Sequence, residues 1–505
     1  MVAERRDHPA RSLISMASRR SSGHTGLVQF DGRSFITVPI DAVVSEFGRV
    51  HHCPSIAWGV VRDGRLIDSG GYGTAVDGRT PTPQTVYRIA SMTKSFTSAA
   101  VLLLRDEGVL RLDDPIATHA PELAAVLGPT SDAAPITLGA LLSMASGLAT
   151  DDVWADRHLD ISDAELNEIA ASGGLFASPT GTAFEYSNLG FAYVGRIVLR
   201  ATGRRVQDIV ADRFLEPLGM RRTSWVQPEH DEWARPLRWQ DGTHVPELPI
   251  VGDGSLAPMG GIWSCVEDLA AWVAWFDDAL PARDDADHGP LIRSSRREMQ
   301  QIHRYAGVRE IAGRSAPTGY GYGLLLRDDP LLGFLAGHSG GLPGYGSNMR
   351  WAPGRRLGVV ALANTTYAHM AELTLQMLDA LHEAGDLPVG GRRGGPVPGE
   401  IDTAARRLVD LLNAWDDRAA DELFTDNVAP DESYERRRSA IALVVAGHGP
   451  LAVIDVLART DAAADVHLQD RHGDHLLLTV ELAPLRPSRI ESFELTRPAT
   501  KIATP

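Results

Sequence analysis

Lysine is almost missing from this 505-residue chain. All but two of its 49 basic residues are arginine, and the exceptions are Lys94 and Lys501. An arginine side chain keeps its proton, whereas a lysine amine gives one up when burial or a positive neighbour favours it. Lys94 is the one lysine outside the last five residues, and so the one place in the body of the chain for a lysine base. Cysteine is as scarce. Cys53 and Cys265 lie too far apart for a disulfide framework or a metal-binding spacing, and each reads as a buried free thiol. No apolar run reaches the roughly 18 residues that span a bilayer. Net positive charge is absent too: at −16 the chain has no general affinity for nucleic acid or anionic membranes. Residues 1–30 lack the apolar core of a signal peptide, and no long apolar stretch follows Arg19-Arg20. They are expected to form a disordered extension on a cytoplasmic protein.

The remaining composition, 44% hydrophobic and 23% charged, is that of a globular chain, and the length calls for at least two domains. Ser55–Arg62 and Arg65–Ser69 around Asp63-Gly64 read as a hairpin. Phe96–Leu104 is an apolar helix that starts at Ser91 and stops at Gly108. A helix capped by Thr137 is expected to run to Gly147, and Ser162-x-x-Glu165 is a capping box. Leu189–Thr202 is a helix closed by Gly203, and Ser264-x-x-Glu267 reads as a second capping box before the helix that carries Trp272 and Trp275. Arg221–Met259 reads as loop and Asp284–Gly289 as a solvated acidic loop. Strand signals return at 323–327, 333–338, 345–351 and 357–364, and a helix covers 370–384. Strands at both ends with helices between imply one sheet built from both termini, with a helical region inserted. The boundaries expected are a main domain over 31–386, a Gly/Pro/Arg linker over 387–400 and a small α+β module over 401–505. His472-Gly-Asp474-His475 in that module reads as a hairpin tip, and His51-His52 has no third ligand at a recognised spacing. Neither a metal nor a cofactor is expected.

Chemistry concentrates in three places. In Ser91-Met92-Thr93-Lys94 the serine and lysine are three apart, which puts the amine beside the hydroxyl if Ser91 opens a helix. A serine hydroxyl is a weak nucleophile and an adjacent base is the usual remedy. The helix start adds backbone N–H groups and a positive dipole end. Tyr186-Ser187-Asn188 and His338-Ser339-Gly340-Gly341 follow in order. No serine lies in a Gly-x-Ser-x-Gly elbow, which argues against an α/β-hydrolase.

With these three segments in that order, residues from about 35 to 385 resemble the serine hydrolase family of class C β-lactamases, DD-peptidases, D-aminopeptidases and related esterases. Leu112-Asp-Asp-Pro115, Ser146-Gly147-Leu148, Pro217-Leu218-Gly219-Met220 and Gly260-Gly261 add to the likeness. The resemblance implies a β-lactamase/penicillin-binding-protein-like transpeptidase fold. That is an α/β (α+β) architecture with a mainly antiparallel sheet flanked by helices, plus an all-helical region; here the small C-terminal α+β module is added. It implies that Ser91 forms an acyl-enzyme and that Lys94 and Tyr186 form the proton-transfer pair. The backbone N–H groups of Ser91 and Gly341 would then receive the oxyanion. Asn188 would orient Lys94 or bind a substrate amide, and His338, Ser339 and Gly340 would bind substrate, with Gly340 and Gly341 leaving room for it along the strand. Two positions depart from the family pattern. His338 stands where lactamases and peptidases usually carry lysine, and Met144-Ala145 stands where the family often shows Thr-His. A histidine, mostly neutral at pH 7, offers no fixed charge for a substrate carboxylate. The reading is therefore an esterase or amidase acting on a small ester, amide or β-lactam. Two alternatives stay open: a β-lactamase or D-amino-acid peptidase, and a penicillin-recognising sensor. Specificity is expected from the Arg221–Met259 loops and from Tyr320-Gly-Tyr322, and homo-oligomerisation is left open.

Overall fold

The structure, a computed structural model, describes residues 29–30, 33–34, 40–76, 78–228, 233–248, 252–281, 283–287, 289–387 and 399–496. Most of the expected N-terminal extension and of the 387–400 linker falls outside them. Residues 29–30 and 33–34 pair as a short antiparallel ladder in a unit of their own, Met1–Val38.

The larger unit opens with α1 (Ile40–Val50), then β1 (Ser55–Arg62) and β2 (Arg65–Gly73). The central helix α2 is Thr93–Asp106 and α3 is Asn188–Thr202, followed by α4, Val266–Asp278. Six strands come next: β3 (Arg304–Ile311), β4 (Arg314–Tyr320), β5 (Leu325–Asp329), β6 (Gly333–Leu342), β7 (Tyr345–Ala352) and β8 (Leu357–Ala363). Helix α5, Met370–Glu383, ends this part. The eight strands form one antiparallel sheet in the order β2-β1-β8-β7-β6-β5-β4-β3. The first hairpin is thus joined to strands some 300 residues later, and the helical region lies between them in sequence. Strands β7 and β8 are buried along their whole length; the unbroken apolar run of β8 requires this, and the polar Ser347, Asn348 and Arg350 of β7 are each hydrogen-bonded inside. Helix α2 is buried from Thr93 to Leu104. Several of its buried polar side chains are paired, whereas Ser98 Oγ has no partner among the described residues. Thr97 Oγ1 donates to Pro258 O at 2.7 Å, and Trp272 Nε1 donates to Ser95 Oγ at 3.0 Å while its ring stacks on Phe96. Pairing matters because an unmet polar group at such depth costs about 1–3 kcal/mol.

Residues 399–496 form helices α6 (Gly399–Asn413), α7 (Asp417–Leu423) and α8 (Tyr434–His448), then a four-stranded antiparallel sheet. Its strands are β9 (Ala452–Ala458), β10 (Ala463–Gln469), β11 (His475–Leu482) and β12 (Ile490–Thr496). They bury an apolar cluster that shares no residue with the cluster around α2. Arg471–Asp474 is the turn between β10 and β11.

Several local expectations change. The helix capped by Thr137 does form its cap, Ala140 N–H to Thr137 Oγ1, but ends at Leu142 because the chain turns through a positive φ of 58° at Met144. Ser264 caps nothing: Cys265 precedes α4, and the Ser264 hydroxyl pairs with Thr223. Leu237–Gln240 and Thr243–Pro246 form a hairpin within the stretch expected to be loop. The acidic loop is not simply solvated, since Asp285 and Asp287 pair with Arg283, Arg293 and Arg296. Helix α8 and strand β9 had no clear sequence signal. Among its fifteen residues α8 buries none, so it has no apolar face for periodicity to reveal.

Candidate active site

Tyr87-Arg88 pairs with Trp263-Ser264, which carries the chain to Ala90 beneath strand β6. Ala90 takes a φ of 49°, a left-handed conformation that costs a non-glycine residue on the order of 1 kcal/mol or more. That bend starts the 3₁₀ turn Ala90–Met92, which holds Ser91 and runs straight into α2, so the helix proper begins at Thr93, two residues after the start expected at Ser91. Gly340 lets β6 come this close. A Cβ there would stand 2.1 Å from Ile89 O and 2.4 Å from Ser347 Oγ, so this glycine clears space for the turn that carries Ser91, where the sequence reading expected it to make room for substrate. Gly341 faces Tyr367, whose ring would meet an added Cβ at 2.8 Å.

Lys94 is fully buried. Its Nζ donates to Ser91 Oγ at 2.9 Å, to Asn188 Oδ1 at 2.6 Å and to Met259 O at 2.8 Å, and sits 4.9 Å from the centre of the Tyr186 ring. The sequence spacing therefore gives the expected neighbourhood, and Asn188 is the residue that fixes the amine. Asn188 is fixed in turn as the first residue of α3. Ser187 Oγ accepts from Gly190 N–H, and the Asp151 carboxylate accepts from the N–H groups of Asn188 and Leu189 at 2.6 and 2.8 Å. Met144-Ala145, the departure noted above, supports the same segment: Met144 O accepts from Glu185 N–H, and Ala145 O from Gly181 N–H. Gly147 cannot change, because a Cβ would lie 2.0 Å from Ser178 O at a φ of 82°.

His338 lies on β6 and is buried. A carbonyl only accepts, so the 2.5 Å contact with Ser339 O puts the proton on Nδ1, and Nε2 accepts from the Tyr320 hydroxyl at 2.9 Å. Burial, with the charge of Lys94 beside it, pushes the imidazole down to about 3, so His338 is neutral at pH 7. Ser339 Oγ accepts from Asn348 Nδ2, whose Oδ1 accepts from Thr374.

Ser91, Tyr186, His338, Ser339 and Gly341 line one cleft of about 490 Å³. Gly340 does not, and Lys94 and Asn188 lie beneath it. The other walls are Thr150, Asp156, Phe184, Arg309, Leu325 and Tyr367. No described residue of Arg221–Met259 lines it, and the part that region plays is the Met259 carbonyl on Lys94. Tyr320 acts behind the wall through His338, and Tyr322 stacks on His303. Asp151, Asp156, Tyr367 and Arg309 had no short-range signal in the sequence, since each meets the site through a long-range contact. Away from the cleft, His448, Asp470 and Asp474 offer ligand atoms within 4.8 Å of one another. Both Asp470 oxygens are already engaged, by His448 and by the N–H groups of the turn, as a hairpin tip requires.

Among the described residues no helix is long and apolar enough to cross a membrane. The chain is 27% identical over 342 residues to Protein flp of Staphylococcus aureus, covering 66% of this chain and 64% of that one. It thus spans less than two thirds of that relative's length. It is 30% identical over 378 residues to esterase EstB of Burkholderia gladioli, covering 68% of this chain and 94% of EstB. In fold it is similar to an octameric penicillin-binding protein homologue from Pyrococcus abyssi, with a TM-score of 0.59 at 20% identity over 91% of this chain and 98% of the other. The Beta-lactamase family model matches residues 40–383, the segment that holds the eight-stranded sheet, α2 and the whole cleft, and the chain belongs to that family.

Proposed function

We propose that this chain is a serine hydrolase that cleaves an ester, or an amide, through an acyl-enzyme at Ser91. The observation that carries the reading is the 2.9 Å contact between Lys94 Nζ and Ser91 Oγ at the floor of an open cleft, with the amine fixed by Asn188 and Met259. In the reaction Ser91 Oγ bonds to the substrate carbonyl carbon and its proton passes to the Lys94–Tyr186 pair. The oxyanion is received by the N–H groups of Ser91 and Gly341, donors of a kind worth about 3 kcal/mol each. The pair then protonates the departing alcohol or amine as its bond to carbon breaks. Water attacks the acyl carbon, the pair takes its proton and returns it to Ser91, and the acid leaves.

An ester is the favoured substrate. The neutral His338 offers no cation next to Ser339 for a carboxylate beside the scissile bond, as on a β-lactam or a D-amino-acid peptide. The similarity along nearly all of esterase EstB supports the same choice. The test is hydrolysis of short para-nitrophenyl esters by wild type, Ser91→Ala and Lys94→Arg, with cephalosporins and D-alanyl amides in the same panel. Ser91→Ala is expected to be inert and Lys94→Arg to lose about 10²–10⁴-fold in kcat. Wild-type turnover by both variants overturns the reading, and cephalosporins outpacing short esters overturns the preference for esters.

A further inference from the structure

Arg309 on β3 lines the same cleft as Ser91, at its exposed rim. Its guanidinium lies 5.4 Å from the centre of the Phe184 ring, and Phe184 is 6.5 Å from Tyr186, ring to ring. Many arginines of this chain hold a carboxylate within 4.0 Å, but among the described residues Arg309 forms no ion pair. An arginine over an aromatic ring still carries its fork of N–H donors, the group that binds an anion. The acid lining the same cleft, Asp156, is buried and accepts from the Tyr367 hydroxyl at 3.0 Å. The rim therefore presents a guanidinium, an aromatic shelf and apolar Leu325.

The side of the cleft matters. In the proposed reaction the Lys94–Tyr186 pair returns the proton to the departing group, so the departing atom lies by Tyr186. The next contact outward is Phe184, and beyond it the guanidinium. We propose that Arg309 binds an anionic group on the departing half of the substrate, two ring contacts from the scissile bond, so that the preferred substrates are esters of aryl or apolar alcohols ending in a carboxylate. This deepens the serine hydrolase reading and rests on it.

The probes are the acetate ester of 3-(4-hydroxyphenyl)propionic acid and its methyl-ester-capped counterpart, with phenol release followed by absorbance. The readout is the ratio of kcat/KM for the carboxylate over the capped probe. In wild type the ratio is expected to be roughly tenfold, the size of one charge-assisted contact, and to fall towards one in molar salt. Arg309→Gln is expected to bring it to about one, and Arg309→Lys to restore part of it. A ratio near one in wild type, or a wild-type ratio in Arg309→Gln, overturns the inference. If wild type releases phenol from neither probe, nor from a para-nitrophenyl ester in a Ser91-dependent way, the hydrolase reading itself falls and takes this one with it.

Discussion

Acid should loosen this protein through His338. Its imidazole is held to about 3 in the folded chain against an ordinary 6.5, because burial and the neighbouring Lys94 both disfavour its charged form. A group whose folded value lies below its unfolded value favours folding above the unfolded value, and that contribution fades as pH falls towards the folded one. Each unit is worth about 1.4 kcal/mol, so between pH 7 and pH 5 this histidine alone withdraws about 2 kcal/mol of stability. By pH 4.5 the loss is about 2.5 kcal/mol, a large share of the roughly 5–15 kcal/mol typical of a folded domain. The assay is urea unfolding of wild type and His338→Gln at both pH values, followed by tryptophan fluorescence. Nine of the ten tryptophans lie before residue 352, so the signal reports the larger core. Glutamine does not titrate, and it can still accept from Tyr320. The difference between the two proteins should therefore shrink or reverse by about 2 kcal/mol on going to pH 5. Comparing the changes cancels the other sixteen histidines and the carboxylates. Parallel losses in the two proteins would refute the reasoning and mean that His338 takes up its proton in the fold as freely as outside it.

Gly340→Ala should lower the urea midpoint by an amount equivalent to about 1–3 kcal/mol and depress kcat, because the new Cβ drives β6 away from Ile89 O; unchanged stability and kcat would contradict the packing described. Asp151→Ala removes the carboxylate that closes the start of α3, at a cost of about 1 kcal/mol in urea unfolding. Asn188 should then hold Lys94 less well, so kcat is expected to fall further than KM rises, and equal changes in the two would show Asp151 to be a helix cap and nothing more.

The parts of this fold that could be read from the chain are those written in short-range pattern. Ser187 caps α3 and Gly203 closes it with a φ of 71°, and Ser162 and Glu165 form their capping box. The strands from β5 to β8 were visible as strand signals, and β7 and β8 are buried from end to end. Ser264-x-x-Glu267 has the same spelling as Ser162-x-x-Glu165 but a different outcome, because the Ser264 hydroxyl finds Thr223 instead. Spacing alone cannot tell two such sites apart. In the cleft the same division holds: Ser91 and Lys94 are three residues apart where the turn Ala90–Met92 runs into α2, and their nearness needs only this local winding. Asp151, Tyr367 and Arg309 reach the site through contacts 37 or more residues away in sequence, and nothing local marks them. Gly340 shows a third case. Its need for glycine was legible, but the atom it makes room for, Ile89 O, belongs to this chain's own turn and not to a substrate.

The burial of Lys94 has a use in protein chemistry. It is the only lysine among the described residues, and none of its surface is open to solvent. Amine-directed reagents added to the native protein should therefore leave Lys94 alone, and acylation at Lys94 becomes a single-residue record that the larger core has opened. Counting that modification by mass against denaturant or time would follow unfolding of the chain without any engineered label.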